Sequence, residues 1–148
     1  LVAEQQDIDN IDKAIEKFVL FKPIQVTRQA DVRMFGFEKE DTPSQQKIID
    51  KLIQTHGHLE YPAYLSSSCD NSGRAVNAAG VVVHIGVPSG KGIGAYIAHN
   101  NLSPSPTENE FLFARNTVLK YDISSLKKKG GMWEINAEWV MIAPDKED

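Results

Sequence analysis

In the run Thr107-Glu108-Asn109-Glu110-Phe111-Leu112-Phe113, two carboxylates stand two residues apart just ahead of a pair of phenylalanines. As a β-strand, whose side chains alternate between faces, this run puts Glu108 and Glu110 on one side and Asn109, Phe111 and Phe113 on the other. The phenylalanines then anchor the strand in a core while the acids face the space opposite, as a cleft requires. Paired carboxylates suit chemistry that passes through a sugar-derived cation, because negative charge stabilises the cation and a base is at hand for the incoming group. Alone, an E-x-E run is more often a solvated strand face beside a turn, so its meaning depends on its company elsewhere in the chain.

Three other groups of residues qualify as company. The segment Ile24 to Arg28 alternates as a strand with Ile24, Val26 and Arg28 on one face, so a guanidinium ends an inward-facing row and needs an anion or water. Arg33, five residues on, is the rival cation. The segment from Tyr61 to Cys69 reads as a short strand finishing in Ser66, Ser67 and Ser68, hydroxyls suited to holding a carboxylate or a sugar, or else to making a turn into Asp70-Asn71-Ser72-Gly73. Other candidates fall away. His56 and His58 have no further ligand cluster at metal-binding spacing. Cys69 has no neighbour that would lower its pKa. Gly86 to Gly92 is one residue short of a phosphate loop, with Gly92 where that loop has Ser or Thr, and reads as an ordinary turn.

The elements that must position these residues follow from hydrophobic spacing. Ile8, Ile11, Ile15, Phe18 and Val19 recur at helical intervals until Phe21-Lys22-Pro23 breaks the pattern. Thr42, Pro43 and Gln45 predict a capped second helix burying Ile48, Ile49, Leu52 and Ile53, stopped by Gly57. Residues 74–79 read as a helical turn, and the apolar run Val81 to Val87 as a central strand covered on both faces. Gly94 to Ile97 predicts another strand, followed by a polar loop over residues 99–107 and then the acidic strand. Val118 to Ile123, a basic tip at Lys127-Lys128-Lys129-Gly130-Gly131, and the alternation Trp133, Ile135, Ala137, Trp139, Met141 complete about six strands. The acidic end, residues 145–148, is expected to fray.

Two helices followed by strands make an α+β domain, and 148 residues suit one domain with a substantial core. The apolar and charged fractions, 41% and 24%, are those of a globular chain, and no apolar run is long enough to span a membrane. A net charge of −4 argues against a general nucleic-acid binder. One cysteine excludes an internal disulfide. A start at Leu1 leads us to expect a single domain, residues 1–148, cut from a longer polypeptide.

Taken in order, the first helix leading into Pro23-Ile24-Gln25-Val26-Thr27-Arg28, then Tyr64-Leu65-Ser66-Ser67-Ser68, Val87-Pro88, Gly94-Ala95-Tyr96 and Glu108-Asn109-Glu110-Phe111-Leu112-Phe113 carry a family likeness. The sequence resembles the mono-ADP-ribosyltransferases of the Arg–Ser–Glu class found among bacterial toxins, secreted effectors and phage enzymes. The likeness implies an α+β fold with N-terminal helices and a mostly antiparallel two-sheet β-core around an NAD cleft. It implies NAD as substrate, no metal, and a target protein carrying an acceptor arginine, with room for an immunity protein.

By the same likeness Arg28 binds the NAD phosphates, and Ser66 sits near the nicotinamide ribose and holds the catalytic Glu110. Glu110 grips the ribose 2′-hydroxyl and stabilises the oxocarbenium ion, while Glu108 orients and deprotonates the acceptor. A glutamate at 108 resembles the arginine-modifying branch, since a cationic guanidinium needs a carboxylate to draw it in. Ser67, where the family commonly has Thr, and Ser68 complete the hydroxyl row. Tyr64 or Arg74 supplies the surface that stacks on nicotinamide, and residues 99–107 recognise the acceptor. The resemblance implies secretion or delivery into a target cell. Rival readings are an NAD glycohydrolase, an inactive relative acting as a binding module, and, disfavoured by the acidic balance, a nucleic-acid acceptor.

Overall fold

The computed structural model describes residues 2–69, 80–98 and 109–144. Glu108, Arg74, the helical turn at 74–79, the loop at 99–107 and the tail at 145–148 lie outside the described residues.

The helical spacing at the start gives α1, Val2–Lys17, with Ile15 buried and Ile8 and Ile11 half-covered. Phe18 leaves the helix and packs edge-on against Tyr96 and Phe111, with ring centroids 5.3 and 6.5 Å away. A two-residue strand, β1 (Val19–Leu20), follows, and an exposed turn over residues 21–23 leads into β2, Ile24–Ala30. A 3-10 turn, Val32–Phe35, is capped by Asp31 and closed by Gly36 at φ 94°, a left-handed conformation that suits glycine.

The second helix, α2 (Gln45–Gln54), starts later than its sequence signals suggest. Ser44, not Thr42, is the cap, its Oγ accepting from the Lys47 amide at 3.3 Å. Ser44 caps as well as Thr does, and starting there leaves Pro43 ahead of the helix, where its ring is buried. Ile48 and Leu52, one turn apart, are buried, whereas Ile53 is 54% exposed because it lies on the flank of the apolar stripe.

The remaining strands are β3 (His58–Tyr61), β4 (Leu65–Ser68), β5 (Val81–Val87), β6 (Gly90–Lys91), β7 (Gly94–Ala98), β8 (Asn109–Phe113), β9 (Thr117–Lys129) and β10 (Met132–Ile142). β1 and β6 form a small antiparallel ribbon, and the other eight lie in the order β3-β9-β10-β5-β2-β4-β8-β7. Every pairing is antiparallel except β5 with β10. The expected central strand is β5, with Val81, Val83, Ile85 and Val87 buried and the intervening residues only half-covered, so one face is sealed and the other partly open. The three lysines at 127–129 belong to the end of β9, not to its turn. Lys127 pairs with Glu134 at 3.5 Å, Lys128 lies over the Trp133 ring, and Gly130 and Gly131 alone make the reversal.

The β-core falls into two parts, one built on β3-β9-β10-β5-β2 and one on β4-β8-β7. Among the described residues, a single bridged pair, Thr27 with Ser68, joins them. This gives the mostly antiparallel, two-part α+β core that the sequence implies, and Arg28, Ser66 and Glu110 all sit at its seam.

Candidate active site

Arg28 comes from β2, where alternation sends Val26 fully into the core and leaves Arg28, two residues on and paired with Val83, half-covered at the end of the same row. Its Nη1 donates to the carbonyl of Ser66 on β4 at 2.8 Å. That bond crosses the seam beside the Thr27–Ser68 bridge. Arg33, the rival cation, is committed elsewhere: Nη2 and Nε bind the Asp31 carboxylate at 2.7 and 2.9 Å, and the guanidinium holds Asp31 down to about 2.

On the far side of the seam, β4 pairs with β8 in a register that sets Ser68 opposite Glu110, Ser67 opposite Phe111 and Leu65 opposite Phe113. Leu65, Ser67, Phe111 and Phe113 point inward and are buried, while Ser66, Ser68 and Glu110 share the other face. Ser66 Oγ donates to Glu110 Oε2 along the diagonal of this ladder. Arg28, Ser66 and Glu110 are therefore linked in one hydrogen-bonded chain drawn from three strands, although 38 and 44 residues separate the bonded pairs.

The hydroxyl row divides. Ser67, grouped with Ser66 and Ser68 on sequence, is 6% exposed on the core side and donates to the Phe111 carbonyl at 2.7 Å. Tyr64 is turned toward α1: its hydroxyl donates to the Ile8 carbonyl at 3.0 Å and to Asp12, and its ring lies beneath Arg115, 5.9 Å from centroid to guanidinium carbon. Arg115 binds Asp12 through two N–H groups, and this hydrogen bonding lowers the Asp12 carboxyl below its usual range. Burial first, and then the Asp12 bond, push the Tyr64 phenol up to about 12. This cluster borders a cleft of about 420 Å³ lined by Asp12, Glu16, Gly92, Arg115 and Pro144 among others. None of Arg28, Ser66 and Glu110 lines it, so the cleft is a separate feature.

Two tyrosines that the sequence does not single out also bear on Arg28. Tyr61 and Tyr121 hydrogen-bond to each other through their hydroxyls, and burial raises both phenols, most strongly Tyr121. The nearby charge of Arg28 acts on both in the opposite direction. Tyr121 belongs to the inward-facing row of β9, but alternation alone cannot say which cation a buried phenol will meet.

Chemically, the seam combines a permanent cation, hydroxyls and a carboxylate oriented by one of them. The cation suits a phosphate, and the carboxylate suits a sugar hydroxyl or a developing positive charge. Among the described residues, no three His, Cys, Asp or Glu side chains come together to hold a metal ion.

The chain as a whole has clear relatives. A family model described as ADP-ribosyltransferase exoenzyme matches residues 3–143. The fold is similar to that of C3larvin toxin, an ADP-ribosyltransferase from Paenibacillus larvae, with 25% identity and a TM-score of 0.69 over 93% of this chain and 71% of that one. It is similar to an ADP-ribosyltransferase from Clostridium botulinum, with 19% identity and a TM-score of 0.70 over 90% and 68% of the two chains. It is also similar to the C3 exoenzyme of Clostridium limosum, with 17% identity and a TM-score of 0.73 over 95% and 71%. Comparison with curated protein sequences gives no match. With a family model covering nearly its whole length and the two-part core of such enzymes, the chain belongs to the ADP-ribosyltransferase exoenzymes.

Proposed function

We propose that this protein transfers ADP-ribose from NAD to an arginine side chain of a target protein, releasing nicotinamide. The observation that carries the reading is the Arg28–Ser66–Glu110 chain across the seam of the β-core. Arg28 holds the pyrophosphate of NAD. A guanidinium has several N–H donors, so the bond to the Ser66 carbonyl leaves it able to fork onto phosphate oxygens. Ser66 fixes one carboxylate oxygen of Glu110, leaving the other to accept from the ribose 2′-hydroxyl. As the bond from ribose C1′ to the nicotinamide nitrogen breaks, the electron pair leaves with nicotinamide, and Glu110 stabilises the resulting oxocarbenium ion. An acceptor nitrogen then bonds to C1′ and gives up its proton to Glu108. Ser67, bound to the Phe111 carbonyl, keeps β4 and β8 in register instead of touching the nucleotide.

The arginine assignment rests on Glu108, two residues before Glu110 in the sequence. A guanidinium is cationic at rest, and a carboxylate both attracts it and accepts its proton, which an amide cannot do. Delivery into a target cell follows the same reading, with an immunity protein as a further partner in the producing cell.

The test is to incubate the protein with labelled NAD and a cell lysate and to map the modified residue by mass spectrometry. Label on arginine is the expected result. Glu110→Gln is expected to lower both transfer and nicotinamide release by roughly a hundredfold or more. Glu108→Gln is expected to lose transfer while retaining slow nicotinamide release. Neither label nor released nicotinamide from the parent protein would sink the proposal, and nicotinamide release unaffected by any acceptor would make it an NAD glycohydrolase.

A further inference from the structure

Away from the seam, the turn between β1 and β2 has a composition that packing does not account for. Phe21, Lys22 and Pro23 are all exposed, Phe21 at 86%. Val19 is exposed two residues earlier, and its cross-strand partner on β6 is the exposed Lys91. Lys17, also exposed, ends α1 immediately before. None of Lys17, Lys22 and Lys91 belongs to an ion pair among the described residues. The nearest acid in sequence, Glu16, lines the cleft beside Arg115 instead.

Scattered exposed apolar residues are ordinary, but here an almost wholly exposed phenyl ring stands on a turn that contains proline, with Lys22 next to it, Lys17 four residues before it and Lys91 paired with Val19, all three outside any ion pair among the described residues. In a chain of net charge −4, that patch runs against the overall balance. We propose that this turn docks the protein on a membrane surface that carries anionic lipid. Phe21 inserts its ring at the acyl boundary, and Val19 adds apolar contact beside it. Lys17, Lys22 and Lys91 lay their aliphatic stems along the interface and their ammonium groups among the phosphates and carboxylates of the headgroups. An almost wholly exposed ring is suited to insertion, and charge complementarity selects an anionic layer. Arg28 lies four residues beyond Ile24, about 13 Å along the strand, so docking by this turn holds the seam close to the surface. The proposal does not depend on the NAD reading.

The experiment is co-sedimentation of the 148-residue chain with vesicles of phosphatidylcholine alone, or of phosphatidylcholine with about a third phosphatidylserine. Binding is expected only to the mixed vesicles and to weaken as salt is raised. Phe21→Ser is expected to weaken it roughly tenfold, and each of Lys17→Glu, Lys22→Glu and Lys91→Glu at least about fivefold. Because these side chains are exposed, the thermal midpoint should stay put for Phe21→Ser, Lys22→Glu and Lys91→Glu and fall slightly for Lys17→Glu, which sets an acid at the C-terminus of α1. Equal binding to both vesicle types, no binding to either, or full binding by Phe21→Ser would overturn the proposal, as would capture by a lysate protein without vesicle binding.

Discussion

Residues within one hydrogen bond of each other at the seam do different jobs, and substitution should separate them. Arg28→Lys keeps the charge but loses the planar fork, so the expected outcome is a KM for NAD raised by roughly tenfold with a smaller change in kcat, read from steady-state nicotinamide release. Ser66 and Ser67, neighbours of the same type, should respond in opposite ways. Ser66→Ala frees Glu110 and should lower kcat with little effect on stability. Ser67→Ala removes a donor to the buried Phe111 carbonyl and should cost about 0.5–1.5 kcal/mol in denaturant unfolding while the remaining folded protein keeps its kcat. The sequence supports the pairing of Arg28, Ser66 and Glu110 because residue type narrows the choice at each position. Alternation sets Ser67 on the face opposite Ser66 and Ser68, but that the Ser66 hydroxyl reaches Glu110 depends on the register of β4 against β8, which is not local. Alternation leaves Arg28 and Arg33 as rival cations and the family resemblance points to Arg28, while in the structure Arg33 pairs with Asp31.

At the scale of elements, the acidic strand is held in place by its neighbour β7, and Gly94 shows how tightly. A Cβ at Gly94 would come 2.5 Å from the Leu112 carbonyl oxygen and 2.7 Å from the Phe111 ring, well inside contact distance. Gly94→Ala should therefore push β7 off β8, destabilise the fold by about 1–3 kcal/mol and displace Glu110, so thermal midpoint and transfer should fall together. A normal midpoint with normal activity would show that the strands have slack. Hydrophobic spacing made both helices and most strands legible, because a period of 3.6 or two is a local property. Partnership is not local: nothing in the sequence of β5 or β10 says that they run parallel, or that a two-residue ribbon of β1 and β6 interrupts the path from α1 to β2. The shift of the α2 cap from Thr42 to Ser44 has a similar origin, since two good capping residues compete and the burial of Pro43 favours one.

Across the whole molecule, pH should act on stability through two sets of groups. Hydrogen bonding to Arg115 lowers the Asp12 carboxyl, so its contribution is present above the ordinary carboxylate range and lost as pH falls through the depressed value. Tyr64 is raised from 10.0 to about 12, so its contribution is complete below 10 and lost as pH rises between the two values. Tyr61 and Tyr121, also raised, add to the alkaline loss. Denaturant midpoints across this range should decline above pH 10, and Tyr64→Phe should decline less steeply than the parent; identical curves would remove Tyr64 from the account. The joint between the two parts of the β-core carries a last consequence. Thr27 is bridged to Ser68 there, and beside it the Arg28 side chain bonds across to the Ser66 carbonyl. Because Arg28 and Glu110 come from opposite sides of that joint, even a small shift across it should part the cation from the carboxylate, so reactivity can vanish from a protein whose circular dichroism still looks native.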